Sequence, residues 1–185
     1  MKRDFLRSIL FGLVASHAIF SVRAQGTIIF DTLVPAAGLD APVFVWSLGG
    51  SPPGPTYSAG LYKDGLLIPG SLTRFRDGSD NPSLSKYIDP VLVTIPGTEP
   101  GQLNIAVEMR AWLTSAGSFE AAPLGHRGTS GALVISTLGG SSDPSHLPAS
   151  FTGFVIPAVP EPSTIALAIF GAALLGGWRH RSRRS

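Results

Sequence analysis

Gln102-Leu103-Asn104-Ile105-Ala106-Val107-Glu108-Met109-Arg110-Ala111-Trp112-Leu113 is the most regular stretch of the chain. Leu103, Ile105, Val107, Met109 and Ala111 fall on one parity, and Asn104, Ala106, Glu108, Arg110 and Trp112 on the other. Side chains of an extended strand point alternately to its two sides, so this spacing predicts a strand with one face on a core and the other toward solvent. Working outward, shorter β-like runs bounded by Pro or Gly recur: Thr27–Phe30, Val43–Trp46, Tyr57–Tyr62, Leu72–Phe75, Tyr87–Ile95, Ala132–Leu138 and Phe151–Ile156. Lys63-Asp64-Gly65 reads as a hairpin turn into Leu66-Leu67-Ile68. Pro90 pushes the first half of its run to a sheet edge, and Gly139–Ser150 is a Gly/Ser/Pro loop. With 22 Gly, 16 Pro and only 14% charged residues, tight turns and short strands are favoured over a helical bundle. The expectation for residues 25–158 is an all-β fold, an antiparallel β-sandwich of eight or nine strands.

The two ends have a different composition. Met1–Arg7 is positively charged, Ile9–Val22 is apolar, and Val22-Arg23-Ala24 offers small residues at the −3 and −1 positions before Gln25. That order is a secretory signal peptide over residues 1–24, cleaved between Ala24 and Gln25. At the other end, Pro160-Glu161-Pro162-Ser163 precedes an uncharged run, Thr164–Trp178, and then Arg179, Arg181, Arg183 and Arg184. As a helix, the 15 uncharged residues would rise about 23 Å. This is somewhat short of a bilayer's hydrocarbon thickness, with Trp178 suited to an interface. The arginines would act as a stop-transfer signal retained on the cytoplasmic side. Pro162 suits the first turn of such a helix, leaving Pro160-Glu161-Pro162 extended just outside the membrane. With both charged ends cytoplasmic, the middle of the chain faces outward.

Residues 159–185 resemble the PEP-CTERM sorting domain of certain Gram-negative bacteria through Val159-Pro160-Glu161-Pro162-Ser163-Thr164, the apolar helix and the Arg-rich end. The resemblance implies that an exosortase, a membrane cysteine transpeptidase, recognises Pro160, Glu161 and Pro162 and processes the protein during export to the cell surface or exopolysaccharide matrix. These three residues would be a recognition site, not a catalytic one. Contact with the membrane would be transient. The body is similar to uncharacterised PEP-CTERM proteins in Gly26–Phe30, Asp40–Phe44, Ala59–Tyr62, Thr94–Gly97, Arg110–Trp112, Phe119–Ala122 and Thr137–Gly140. No activity comes with that similarity.

Charge and chemistry narrow the function classes. Between Gln25 and Val159 there are six basic residues against ten acidic ones, so nucleic-acid binding has no support. With no cysteine, neither a disulfide nor a thiol nucleophile is available. His126 and His146 lie in loop-like sequence without partners at metal-ligand spacing. Asp77-Gly78-Ser79-Asp80-Asn81 could offer oxygens to calcium but reads better as a turn. No acid, base and nucleophile converge, so the chain is read as a non-enzyme without cofactor or metal. Two classes remain. One is a structural or interaction protein of the surface or matrix. The other is a carbohydrate-binding module for exopolysaccharide, which would need Trp46, Tyr57, Tyr62, Tyr87 and Trp112 to share an exposed face.

The alternation generates a test on the isolated 25–159 segment. Val107→Asp should lower its unfolding free energy by on the order of 3 kcal/mol or more through an unpaired buried charge. Asn104→Asp should be mild, and equal tolerance of both in thermal melts would remove the period-two argument.

Overall fold

A computed structural model describes residues 24–46 and 49–157. The described residues form twelve strands: β1 (Thr27–Phe30), β2 (Leu33–Val34), β3 (Leu39–Asp40), β4 (Val43–Val45), β5 (Tyr57–Lys63), β6 (Leu66–Leu67), β7 (Thr73–Arg74), β8 (Val91–Thr94), β9 (Leu103–Leu113), β10 (Arg127–Thr137), β11 (Ser145–His146) and β12 (Phe154–Ile156). Between them run only short 3-10 turns, with no α-helix among the described residues. The fold is therefore mostly β, as expected.

The strands make several small sheets. The largest runs β10-β9-β5-β6, with β7 also paired to β5; a second runs β11-β1-β8; β12-β4 and β2-β3 are pairs. The expected count of eight or nine strands and the purely antiparallel pairing are both corrected. β1 pairs with β11, and β4 with β12, in parallel. Parallel neighbours need a crossover, and these pairs join segments far apart in sequence. The Gly139–Ser150 stretch, expected to be a loop, carries β11 alongside β1. Two-residue strands such as β2 and β3 are too short for alternation to reveal.

Local chemistry explains the parts that matched. Asp64 and Gly65 both have positive φ, +53° and +79°, and join β5 to β6 as a two-residue turn whose twist suits a hairpin. β8 follows Pro90 and pairs only with β1, at the sheet edge. β9 buries Ile105, Val107, Met109 and Ala111 in a core shared with Ile28 and Phe30 of β1, Val43 and Val45 of β4, Leu61 of β5, Val93 of β8 and Ile156 of β12. Each large side chain in it contributes roughly 1.5–3 kcal/mol of burial. Leu103 departs from its parity and is 62% exposed. The next residue, Asn104, has φ +56°, a left-handed kink that breaks the alternation between Leu103 and Ile105.

β10 depends on a bulge that the sequence does not advertise. Thr129 faces Arg110 and Ala132 faces Glu108, so Ser130 and Gly131 together oppose Met109. Gly131 takes φ +71°, and Met109 N donates to Ser130 Oγ at 3.0 Å. The extra residue reverses the parity of β10. Arg127 and Thr129 lie on the outer face, while Leu133 and Ile135 turn into the core.

A second glycine controls how the last strand docks. Gly153 has φ +81°, and a Cβ there would sit 1.9 Å from the carbonyl oxygen of Pro42. Gly131 also has positive φ but opens onto free space. Gly131→Ala should therefore cost only the backbone term, about 1–2 kcal/mol. Gly153→Ala adds a backbone collision and should cost clearly more, roughly 3 kcal/mol or above. Equal losses for the two in denaturant titrations would show that β12 is not packed as described.

Candidate functional site

The outer face of the largest sheet brings Glu108, Arg110 and Arg127 together with Tyr62 and Trp112. Register places Tyr62 of β5 opposite Glu108 of β9, Gly60 opposite Arg110, and Ser58 opposite Trp112. On the other side β10 sets Arg127 opposite Trp112 and Thr129 opposite Arg110. Facing residues of an antiparallel pair share one side of the sheet, so these form one patch. Gly60 has a packing role in it. A Cβ there would come within 2.6 Å of Leu67 Cδ1 and 3.3 Å of the Trp112 ring.

The segment between β9 and β10 folds back over this patch. Phe119 meets Trp112 edge-on, with ring centroids 6.3 Å apart at 84°, and meets Tyr62 at 6.2 Å. Arg127 Nη1 donates to the carbonyls of Phe119 and Glu120 at 3.0 and 2.9 Å, and Ser58 Oγ bonds Thr114 Oγ1 at 2.8 Å. The Arg110 guanidinium lies 4.2 Å from the Tyr62 ring centroid and 5.0 Å from that of Phe119. Its Nε donates to Glu108 Oε2 at 2.8 Å, and its Nη1 is 3.4 Å from Glu120 Oε1. Thr129 Oγ1 donates to the second Glu108 oxygen. Trp112 is left 2% exposed and Tyr62 4%.

This geometry answers the question about aromatics. Tyr57 is buried in the main core, where its hydroxyl shares a 2.9 Å hydrogen bond with His126 Nδ1. Tyr87 is buried, with its hydroxyl donating to Asp40 Oδ1 at 2.6 Å. Burial, and after it the Asp40 bond, push its pKa up to about 12. Tyr62 and Trp112 are sealed under Phe119, and only Trp46, 64% exposed, faces outward. The five rings do not form the exposed platform that sugar stacking requires. Phe119, the residue that closes the patch, carries no motif; the signal for it is a strand whose outer face holds Arg110 and Trp112 and needs a cover.

The other candidates resolve simply. Asp77 Oδ1 accepts from Ser79 N and Ser79 Oγ at 2.9 and 3.0 Å, which makes the Asp77–Asn81 stretch a self-capped turn and draws the Asp77 carboxyl below its usual range. His146 lies on β11 beside Ile29. Among the described residues no three His, Cys, Asp or Glu side chains are grouped to hold a metal. Ala24 and Gln25 are exposed, one residue before Gly26 becomes buried. Pro160, Glu161, Pro162, Arg179, Arg181, Arg183 and Arg184 lie outside the described residues, as does the apolar run of the leader. No helix of the described residues is long and apolar enough to cross a membrane.

Glu108 provides a pH test of the sealed patch. Burial alone would raise its carboxyl, but hydrogen bonds from Thr129 and Arg110 and the Arg110 charge outweigh that and hold it below the usual glutamate range. A carboxylate depressed in the folded state stabilises the fold above its unfolded value, about 4.3, and loses that contribution as pH falls through the lower folded value. Glu108→Gln should therefore cost about 1–2 kcal/mol at neutral pH, with the gap to wild type narrowing as pH drops below about 4. A gap constant from pH 7 to 3 in denaturant titrations would mean that the Glu108 charge contributes nothing.

Neither a curated protein nor a solved structure matches the chain. One family does match, over residues 158–184: the PEP-CTERM protein-sorting motif. That range contains Pro160, Glu161, Pro162 and the four terminal arginines and begins directly after Pro157, the last described residue. The tail of this chain is a PEP-CTERM protein-sorting motif, and it marks the chain as a substrate of an exosortase.

Proposed function

We propose that this chain is an exported structural or interaction protein of the cell surface or exopolysaccharide matrix, delivered as a membrane-held precursor and processed by an exosortase at Pro160-Glu161-Pro162. The sorting motif at 158–184 carries the reading. The described body adds support. Its hydrogen-bonded structure starts where Ile95 N donates to Gly26 O and Thr27 N to Gly139 O, and it ends at buried Ile156. Cleavage after Ala24 would then fall in exposed chain and cost no core contact, and the motif follows the last described core side chain, Ile156, in sequence.

In this reading residues 1–24 are the leader, 25–158 the cargo and 159–185 the sorting tail. The cargo is a β-sandwich-like unit whose sheets share one core. Its role is binding or display, not catalysis, in keeping with a sealed patch in which Arg110, Glu108 and Glu120 are engaged with one another. Carbohydrate binding through an aromatic face is disfavoured by the burial of Tyr57, Tyr62, Tyr87 and Trp112.

The test is the C-terminal mass of the protein in a host that has the sorting enzyme and in one that lacks it. Wild type should lose the residues beyond the motif only in the first host. Glu161→Ala, or Pro160→Ala with Pro162→Ala, should leave insertion intact because the apolar run and the arginines are untouched, yet uncut protein should accumulate in the membrane. Removal of Arg179–Ser185 should weaken retention instead. Wild type that keeps Ile165–Ser185 in both hosts would make the tail a plain anchor.

A further inference from the structure

β12 is both the last described strand and part of an outward apolar surface of the body. It pairs in parallel with β4, Val155 facing Phe44 and Ile156 facing Val45. Val43, Val45 and Ile156 are buried, so Phe44 and Val155 point away from the core; Phe44 is half-buried and Val155 is 50% exposed. Trp46, directly after β4, is 64% exposed. Lys86 runs beside this pair, its carbonyl accepting from Val43 N at 3.0 Å. Its ammonium lies 6.0 Å from the Phe44 ring centroid and 5.2 Å from that of Tyr87. An outward Trp, Phe and Val with a lysine beside them is the chemistry of a headgroup interface: the rings and the aliphatic stem enter the acyl boundary while the ammonium meets phosphate.

Chain length selects the occupant. Seven residues, Pro157 to Ser163, separate Ile156 from the first residue of the uncharged run, and fully extended they reach at most about 25 Å. A folded unit of this size has a radius of gyration of about 14 Å, so its diameter exceeds the tether. The body therefore cannot turn its far side to the bilayer, and the surface that the tether keeps within reach of the lipid is the one around β12. We infer that, while the tail is still inserted, the β4–β12 face bearing Phe44, Trp46, Val155 and Lys86 seats on the lipid surface and holds the sorting motif at a fixed height above it. The inference rests on the reading of the tail as membrane-inserted. Cutting the tail releases the tether and leaves one small apolar face, which is too little to retain the body alone.

The absence of cysteine makes this directly testable, since a single introduced thiol can be labelled uniquely in the full chain. Trp46→Cys, Val155→Cys and, as a control on another sheet, Leu66→Cys (wild-type leucine 74% exposed) are each labelled with a polarity-sensitive fluorophore. Each protein is then reconstituted into vesicles of phosphatidylethanolamine and phosphatidylglycerol. Labels at 46 and 155 should shift to the blue and lose quenching by aqueous iodide, and the label at 66 should do neither. If the protein floats with the vesicles but all three labels stay as water-exposed as in detergent-free buffer, the face does not seat on lipid and the inference is overturned. Shielding of 46 and 155 only after the sorting enzyme is added would overturn it in favour of the enzyme as occupant. If the full chain fails to float with vesicles, the reading of the tail fails, and the inference falls with it.

Discussion

The pairing of β9 with β5 on one side and β10 on the other is the constraint on which the rest of the structure depends. Its inner parity supplies Ile105, Val107, Met109 and Ala111 to the common core, and its outer parity supplies Glu108, Arg110 and Trp112. A strand with apolar residues on both sides must be covered twice. The first cover comes from the other sheets. The second comes from the segment ending at Arg127, which closes over Trp112 and Tyr62 through Phe119 and is held by Arg127 at its base. Shifting the register by one residue would exchange the two faces, placing Arg110 in the core and Met109 in water.

The inner half of this arrangement was legible in the sequence and the outer half was not. Five residues on one parity suffice to predict a strand, and Asp64-Gly65 suffices to predict the hairpin after β5. What alternation cannot carry is a change of parity. Asn104 with positive φ turns Leu103 outward, and the Ser130-Gly131 bulge turns Leu133 and Ile135 inward. Both events are set by backbone conformation at one residue. Nor could the parallel pairs be foreseen, because β11 and β12 are brief segments whose partners lie at the opposite end of the chain. The burial of Trp112 and Tyr62 needed Phe119 to be in place, and nothing local in the sequence says where that ring goes.

The sorting tail is legible for a contrary reason. Its information is linear: a tripeptide, an uncharged run and arginines, in that order, with no need for a tertiary partner. The body's information is tertiary, and several of its charged groups are occupied with one another. Arg110 is shared between Glu108 and Glu120, and Arg76 lies 3.5 Å from Asp31. Such internal pairing helps to satisfy the charged groups of a body without disulfides.

The separation of address from cargo has a structural condition, which is that the address must be removable without unfolding the cargo. β12 meets it. Ile156 is fully buried, Gly153 lets the chain enter the strand within contact distance of Pro42, and β4 pairs with all three of its residues. The last described strand is therefore held by contacts within the described body. A force applied at the tail during membrane retention would act along a short parallel pair, but the buried Ile156 and the packing of Phe154 against Gly128 resist its withdrawal. The same strand presents Val155 outward next to Phe44 and Trp46. One short strand thus makes the last described core contribution through Ile156 and an outward apolar contribution through Val155.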